Sequence, residues 1–190
     1  MDKNKLLELL EETGVYQTGH FRLSSGRHAQ HYLQCARLLQ YPDKAAIALQ
    51  ELANQIPTPI DVVIGPALGG VIIAYELARA LQTRAIFSER DSNNQMSLRR
   101  GFTLNPGEKV LVAEDVVTTG GSVREVLDLI ADHGVELVGV AALIDRSNGT
   151  VDFGLPFYPL ISLPVTSYAE EDCPLCQAGI PIIKPGSRKL

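Results

Sequence analysis

The chain has 190 residues, of which 45% are hydrophobic and 21% are charged, and its net charge at pH 7 is -5. This composition predicts one folded domain and excludes a disordered or fibrous protein. The acidic balance and the lack of any Lys/Arg run exclude a nucleic-acid surface. There is no stretch of about 18 apolar residues, and the N-terminal segment is too short and too acidic for a signal peptide. We therefore expect a cytoplasmic protein with no membrane partner.

Two helices are predicted in the first third of the chain. The first runs from Asp2 to about Thr13, where leucines give one apolar face and Gly14 ends the helix. The second begins at Pro42, because proline is favoured in the first turn of a helix, and runs to Pro57.

Apolar segments rich in Val and Ile then alternate with helical segments. The predicted strands span 60–64, 84–87, 109–114 and 137–144, and the predicted helices span 70–82 and 122–133. Continuous apolar strands joined by crossover helices indicate a doubly wound α/β fold. Its sheet is expected to be parallel and covered by helices on both faces.

Two regions lie outside this alternation. Residues 88–105 are rich in Ser, Asn and Arg, and they predict a mobile loop or ribbon beside the site. The tail after Ser162 is irregular and rich in proline, and we expect it to pack with the N-terminal region as a small hood. The predicted architecture is a single domain with a core over about 57–163 and a hood from about 1–40 and 164–190.

Ligands of doubly wound sheets bind beyond the carboxyl ends of the strands. The segments predicted to lie there are Gly65–Gly70, Glu114–Ser122 and Asp145–Arg146. Their shared position predicts one site built from three separate parts of the chain.

The middle segment has the composition of a phosphate-binding loop. Two threonines, two glycines and a serine lead into a helix, so backbone N–H groups, hydroxyls and the helix dipole favour an anion. The loop is neither GxxxxGK[ST] nor GxGxxG, which disfavours nucleoside triphosphate and dinucleotide ligands. Glu114 and Asp115 would repel an isolated phosphate, so the pair indicates a ribose phosphate bound lengthwise. The alternative is that Asp115 only accepts hydrogen bonds at a turn and the loop only caps the helix.

The cysteines do not predict a disulfide framework, because their number is odd. Cys173 and Cys176 have CxxC spacing, but zinc requires four ligands. The histidines do not stand in a paired ligand spacing near them in sequence; they are His20, His28, His31 and His133. We therefore predict neither a structural zinc site nor a redox pair, and no metal ligand from the protein.

The segment VLVAEDVVTTGGS, which ends at Ser122, resembles the signature of type I phosphoribosyltransferases that binds 5-phosphoribosyl-1-pyrophosphate (PRPP). Further segments resemble those of orotate phosphoribosyltransferases, and the resemblance covers nearly the whole chain. These segments are Gly19–Gly26 with Tyr32 downstream, Gly65–Gly70 on the pyrophosphate side, and the tail motif Cys173-Pro-Leu-Cys176.

The resemblance implies a type I phosphoribosyltransferase fold, a homodimer, Mg²⁺ as the cofactor, and PRPP and orotate as substrates. Glu114 and Asp115 would be the catalytic pair at the ribose hydroxyls. The PRPP positions would be Glu114, Asp115, Val116, Val117, Thr118, Thr119, Gly120, Gly121 and Ser122. Arg146 would bind the orotate carboxylate, with Thr118 also near the base, because a guanidinium matches a carboxylate with two parallel hydrogen bonds. The alternative for Arg146 is an ion pair with Asp145.

The sequence departs from many relatives in its cations. The stretch 89–100 has no lysine or histidine, so Arg90, Arg99 and Arg100 are the cations available there. Of these, Arg90 is the candidate for PRPP. Leu68-Gly69 stands where many relatives have Tyr-Lys, and Ser24 stands where lysine is common. A short-loop subgroup of the family shares this layout.

Three functions remain open from the sequence. Orotate phosphoribosyl transfer is the first, and it is favoured by Arg146. The second is transfer to another base, a purine or uracil, which would not require a guanidinium partner. The third is a PRPP-sensing regulator without turnover, which the lysine-poor loop allows.

Overall fold

The computed structural model describes residues 3–23, 25–57 and 59–185. Asp2 and Ser24, named above, lie outside these ranges. The helices are α1 (Lys3–Glu12), α2 (Ala36–Leu39), α3 (Pro42–Ala53), α4 (Gly69–Leu81), α5 (Gly121–Ile130) and α6 (Pro174–Gln177). The strands are β1 (Tyr16–Arg22), β2 (His28–Leu33), β3 (Val62–Pro66), β4 (Arg84–Arg90), β5 (Met96–Leu98), β6 (Lys109–Val117), β7 (Glu136–Asp145), β8 (Phe157–Ser162) and β9 (Ser167–Tyr168).

The larger sheet has the strand order β5-β4-β3-β6-β7-β8. The pairings among β4, β3, β6, β7 and β8 are parallel. This arrangement confirms the predicted α/β class and its crossover helices. At one edge the segment predicted as a loop or ribbon adds strand β5, which pairs with β4 in the antiparallel direction.

That antiparallel edge follows from local turn chemistry. The Asp91 carboxylate accepts hydrogen bonds from the backbone N–H groups of Asn93 (2.8 Å) and Gln95 (2.9 Å). Asn94 adopts a left-handed φ of 61°, a conformation that asparagine tolerates better than most residues. The first part of the polar segment 88–105 is therefore a hairpin ribbon, which was one of the two predicted forms.

Alternate residues of the central strands face opposite sides of the sheet and build two apolar layers. Val63 and Leu111 belong to the layer covered by α3 and α4, whereas Val62 and Val110 belong to the layer covered by α5. Both strands are buried on both faces, which explains their continuous Val/Ile/Leu composition. Truncating a buried leucine such as Leu111 to alanine costs about 2–5 kcal/mol of stability.

Two of the differences from the predicted elements have identifiable reasons. Helix α3 ends at Ala53, before Pro57, because the residues preceding a proline are biased away from helix. Strand β8 was not predicted, because its sequence FYPLIS contains Pro159. A proline is tolerated there since β8 is the edge strand beside β7.

The smaller sheet, β1-β2-β9, joins the two ends of the chain. Beyond β9, the Arg22 N–H donates to the Ile183 carbonyl (2.9 Å) and the Ile183 N–H donates to the His20 carbonyl (2.7 Å). Among the described residues, no helix combines the length and the apolar character needed to cross a membrane.

Candidate active site

The carboxyl end of β6 continues into the N-terminus of α5 through the predicted phosphate loop. A cavity there is lined by Glu114 and by residues 116–123. Thr118, Thr119, Gly121 and Ser122 are exposed at its surface. The first N–H groups of α5 have no partner within the helix, and together with the helix dipole they favour an anion at this position. The structure therefore brings the predicted loop residues together around one opening.

Gly120 fixes the shape of this loop. Its φ is 75°, in the left-handed region, and a β-carbon added here would lie 2.8 Å from the ring of Phe153. Any other residue would be strained by the backbone conformation and would also displace this ring. The turn from β6 into α5 thus requires glycine at this position.

The two acidic residues at the end of β6 have different surroundings. Glu114 is buried, with 8% of its surface exposed, and its side chain accepts a hydrogen bond from the Asp115 N–H (3.1 Å). Burial, reinforced by the neighbouring Asp115 charge, raises the pKa of Glu114 to about 9. Near pH 7 Glu114 therefore holds its proton, and a cation or sugar hydroxyl donors beside it would favour its ionised form.

Asp115 lies against the loop that follows β3. A β-carbon added to Gly69 would lie 2.7 Å from the carboxyl carbon of Asp115, so a side chain here would displace the Asp115 carboxylate from its present position. The Asp115 carboxylate also accepts the Val116 N–H (2.7 Å). The loop 65–70 and the acidic pair are therefore parts of one site, as the strand-end positions predicted.

Arg146 follows β7 and lies beside the end of β6. Its backbone N–H donates to the Val117 carbonyl (2.7 Å), and its side chain is half-buried. Within the described ranges its guanidinium forms no ion pair, and its Nε atom is buried without a hydrogen-bond partner. The Asp145 carboxylate instead accepts from the Ser147 N–H (2.8 Å) and the Ser162 hydroxyl (3.3 Å). The alternative of an Asp145–Arg146 ion pair is thereby wrong.

The arginines of the hairpin ribbon form contacts with residues that do not line the cavity at 114–123. Arg90 forms an ion pair with Glu125 on α5 (2.8 Å) and donates to the Asn94 carbonyl (2.7 Å). Arg100 pairs with Glu89 (2.9 Å), and its guanidinium lies over the ring of Phe87. None of these arginines lines the cavity at 114–123.

Two residues beside the site were not given a role by the sequence. The Cys35 thiol is buried and contacts the Asp115 carbonyl (3.7 Å), and burial raises its pKa well above the usual value. The side-chain oxygen of Ser147 is buried without a hydrogen-bond partner among the described residues. Ser147 follows Arg146 at a strand end, which is a signal that could have identified it. A single cysteine before a short helix carries no comparable signal.

Comparison with known proteins finds relatives that match the chain over its whole length. Residues 36–159 match the family model described as "Phosphoribosyl transferase domain". An orotate phosphoribosyltransferase of Caldanaerobacter subterraneus subsp. tengcongensis is 54% identical over 191 residues, covering 100% of both chains. An orotate phosphoribosyltransferase of Pelotomaculum thermopropionicum is 51% identical over 191 residues, again covering 100% of both chains.

A solved structure shares the fold. The crystal structure of orotate phosphoribosyltransferase from Aeropyrum pernix superposes with a TM-score of 0.71 at 25% sequence identity. The match covers 83% of this chain and 93% of that one.

Proposed function

This chain belongs to the phosphoribosyl transferase family and is an orotate phosphoribosyltransferase, and from this premise we propose how its site performs the transfer. The reaction joins orotate to the ribose of PRPP and releases pyrophosphate, giving orotidine 5'-monophosphate for pyrimidine synthesis. We infer that the cavity at 114–123 binds the ribose 5-phosphate part of PRPP, and that the loop 65–70 faces the pyrophosphate. Arg146 binds orotate.

The cradle at 118–122 takes the 5'-phosphate. The N-terminal N–H groups of α5 and the hydroxyls of Thr118, Thr119 and Ser122 supply donors without a lysine. Their exposure at the cavity supports this role.

The acidic pair takes the ribose. The carboxylates of Glu114 and Asp115 accept hydrogen bonds from the ribose hydroxyls, which fixes the sugar for displacement at its anomeric carbon. The bond from the anomeric carbon to pyrophosphate breaks, the bond to the orotate nitrogen forms, and the proton of that nitrogen passes to the released pyrophosphate. Positive charge develops on the sugar between bond breaking and bond formation. The Asp115 carboxylate stabilises that charge, and so does Glu114 once bound PRPP favours its ionised form, so no protein nucleophile is needed.

Arg146 is the observation that carries the assignment to orotate. A half-buried guanidinium without an acidic partner among the described residues leaves an uncompensated charge beside the cradle, and the orotate carboxylate would compensate it. Thr118 and the adjoining loop lie on the same side, next to Val117. A neutral base would leave Arg146 unpaired.

Mg²⁺ is the cofactor we propose. The donor set fits it, because the site offers hard carboxylate oxygens, and a cation there would offset the burial and the Asp115 charge that raise the pKa of Glu114. Glu114 and Asp115 are the residues that would hold the ion together with PRPP. When bound, it neutralises the charge of the departing pyrophosphate.

We also propose a homodimer. Helix α4 and the residue before it expose large apolar side chains at helical spacing, namely Leu68 (88% exposed), Ile72 (49%) and Tyr75 (68%). An exposed apolar stripe of this kind is typical of a homodimer interface, in which the same surface of two subunits pairs across a twofold axis.

Ile72→Glu should shift the sedimentation coefficient to that of a monomer, whereas Ile47→Glu, an equally exposed site on α3, should not. An unchanged coefficient for Ile72→Glu would contradict this interface.

The decisive experiment is an ultraviolet assay of the purified protein with PRPP and Mg²⁺. Orotate, uracil, hypoxanthine and xanthine are offered separately. Consumption of orotate alone is the expected result. Turnover of another base would contradict the role of Arg146, and PRPP binding without turnover of any base would identify a sensor. A cytoplasmic location stays a prediction.

A further inference from the structure

A cluster of two histidines and two cysteines lies in the smaller sheet, apart from the residues given a role above. Its members are His20 on β1, His28 on β2, Cys173 before α6 and Cys176 within it. One nitrogen or sulfur atom from each residue lies within 4.8 Å of all the others. Three of the four residues are buried and the fourth, Cys176, is half-buried.

The distances within the cluster are those of ligands around one small ion. His20 Nε2 lies 3.1 Å from His28 Nδ1, 3.6 Å from Cys173 Sγ and 3.7 Å from Cys176 Sγ, and His28 Nδ1 lies 3.2 Å from Cys176 Sγ. A tetrahedral zinc ion, with Zn–N of about 2.0–2.1 Å and Zn–S of about 2.3 Å, separates its ligands by about 3.4 Å (N to N) and about 3.5 Å (N to S). The four observed distances are close to these values.

A backbone carbonyl orients the first of these ligands. His20 Nδ1 lies 2.7 Å from the Ile180 carbonyl, which can only accept a hydrogen bond, so Nδ1 carries the proton. In the neutral ring, the lone pair is then on Nε2, the atom that faces the cluster. Metal-binding histidines commonly have this second hydrogen bond, which fixes the tautomer and the ring orientation.

Strand pairing brings the two histidines to one side. Arg22 of β1 pairs with His28 of β2, and directly paired residues of an antiparallel ladder point to the same face. His20 stands two residues before Arg22, so the alternation of the strand places His20 on that face as well. The irregularity in this ladder lies further along, between Thr18 and Phe21, where β1 contains one more residue than β2.

We propose that His20, His28, Cys173 and Cys176 bind one zinc ion that fastens the C-terminal segment to the β1–β2 hairpin. Two imidazoles and two thiolates in a tetrahedral, closed arrangement are the donor set of structural zinc. The sequence spacing argued against such a site, because the four ligands come from two strands and a distant helix.

The first test is the metal content of the wild-type protein, purified without a metal-affinity tag from zinc-supplemented culture and measured by elemental mass spectrometry. We expect about one zinc ion per chain. His28→Gln and Cys176→Ser should lower zinc retention about tenfold or more, since each removes a ligand. His31→Gln, on the same strand but outside the cluster, should retain the ion, and so should Asp115→Asn.

A second measurement does not depend on the folding of any variant. The wild-type protein is stripped of metal and titrated with Co²⁺. Binding at this site should give tetrahedral d–d absorption in the visible and thiolate-to-cobalt charge transfer in the near ultraviolet. Wild-type protein that retains no zinc and shows no thiolate–cobalt absorption would overturn the proposal. Wild-type protein that is purified with one equivalent of a metal other than zinc, or zinc retained by both ligand variants, would overturn it as well.

Discussion

The large sheet and the small sheet each gather polar residues, but they do so in different ways. In the large sheet, the residues at 65–70, 114–122 and 145–146 follow the carboxyl ends of the neighbouring strands β3, β6 and β7, so the topology alone brings them together. In the small sheet, His20 and Cys173 meet although 153 residues separate them. Sequence motifs mark the first kind of site, whereas only the folded chain reveals the second.

From this comparison we expect that the residues that catalyse phosphoribosyl transfer lie at the strand ends of the large sheet. Asp115→Asn is the substitution for which we expect the largest effect. The amide keeps the shape but loses the negative charge that stabilises the ribose in the transition state. We expect kcat to fall by about 10²–10³-fold with an unchanged circular dichroism spectrum. Asp132→Asn, which changes an exposed carboxylate after α5, is the control. Full activity of Asp115→Asn would remove the acidic pair from the ribose.

Arg146→Ala should have the next largest effect, and it divides the site between its two substrates. Loss of a half-buried charged partner should raise the KM for orotate about 30-fold or more, equivalent to about 2 kcal/mol, with a smaller change in the KM for PRPP. Arg124→Ala, an exposed arginine over the Phe153 ring, serves as the control. The opposite pattern, with PRPP affected more, would assign Arg146 to a phosphate.

Glu114→Gln should weaken the pH dependence of the free energy of unfolding. The folded pKa of Glu114 is raised to about 9 from an ordinary 4.5, so between these values the folded state holds a proton that the unfolded state has lost. Stability therefore falls as pH rises through this window, by at most about 1.4 kcal/mol per pH unit from this group. Urea unfolding at pH 6, 7 and 8 should show a weaker decline for Glu114→Gln than for the wild type. Parallel declines would mean that Glu114 is already ionised.

Arg90→Ala should have the smallest effect. Its ion pair with Glu125 is exposed, and such pairs contribute about 0–1 kcal/mol. A contact between Arg90 and PRPP would require this pair to open, so we expect the KM for PRPP to change less than about fivefold. A larger increase would show that the ribbon closes over the cavity during turnover.

Much of the large sheet could be predicted from the sequence, because its strands are buried on both faces and its helices have clear starts and ends. Glu114, Asp115 and the loop to Ser122 were identified by residue type and by the apolar strand that leads into them, and the structure brings them together, with β6 extending to Val117. The small sheet could not be predicted. Strand β9 has only two residues, and the meeting of His20 with His28 depends on the pairing of β1 with β2. The contact of Cys35 with Asp115 and the unpaired guanidinium of Arg146 depend on which elements pack beside these residues. No local sequence pattern predicts that packing.

The pairing of the β1–β2 hairpin with a distant segment also orders events during synthesis. The strands of the large sheet lie between Val62 and Ser162, whereas the Ile180 carbonyl meets His20, which is 160 positions earlier. The contact order of the small sheet is therefore high, and closing it carries the larger loop entropy. On a ribosome, β1 and β2 emerge before β9 and Ile180, and they can complete their contacts only after those residues have followed. The cradle can therefore form while residues 167–183 are still being made.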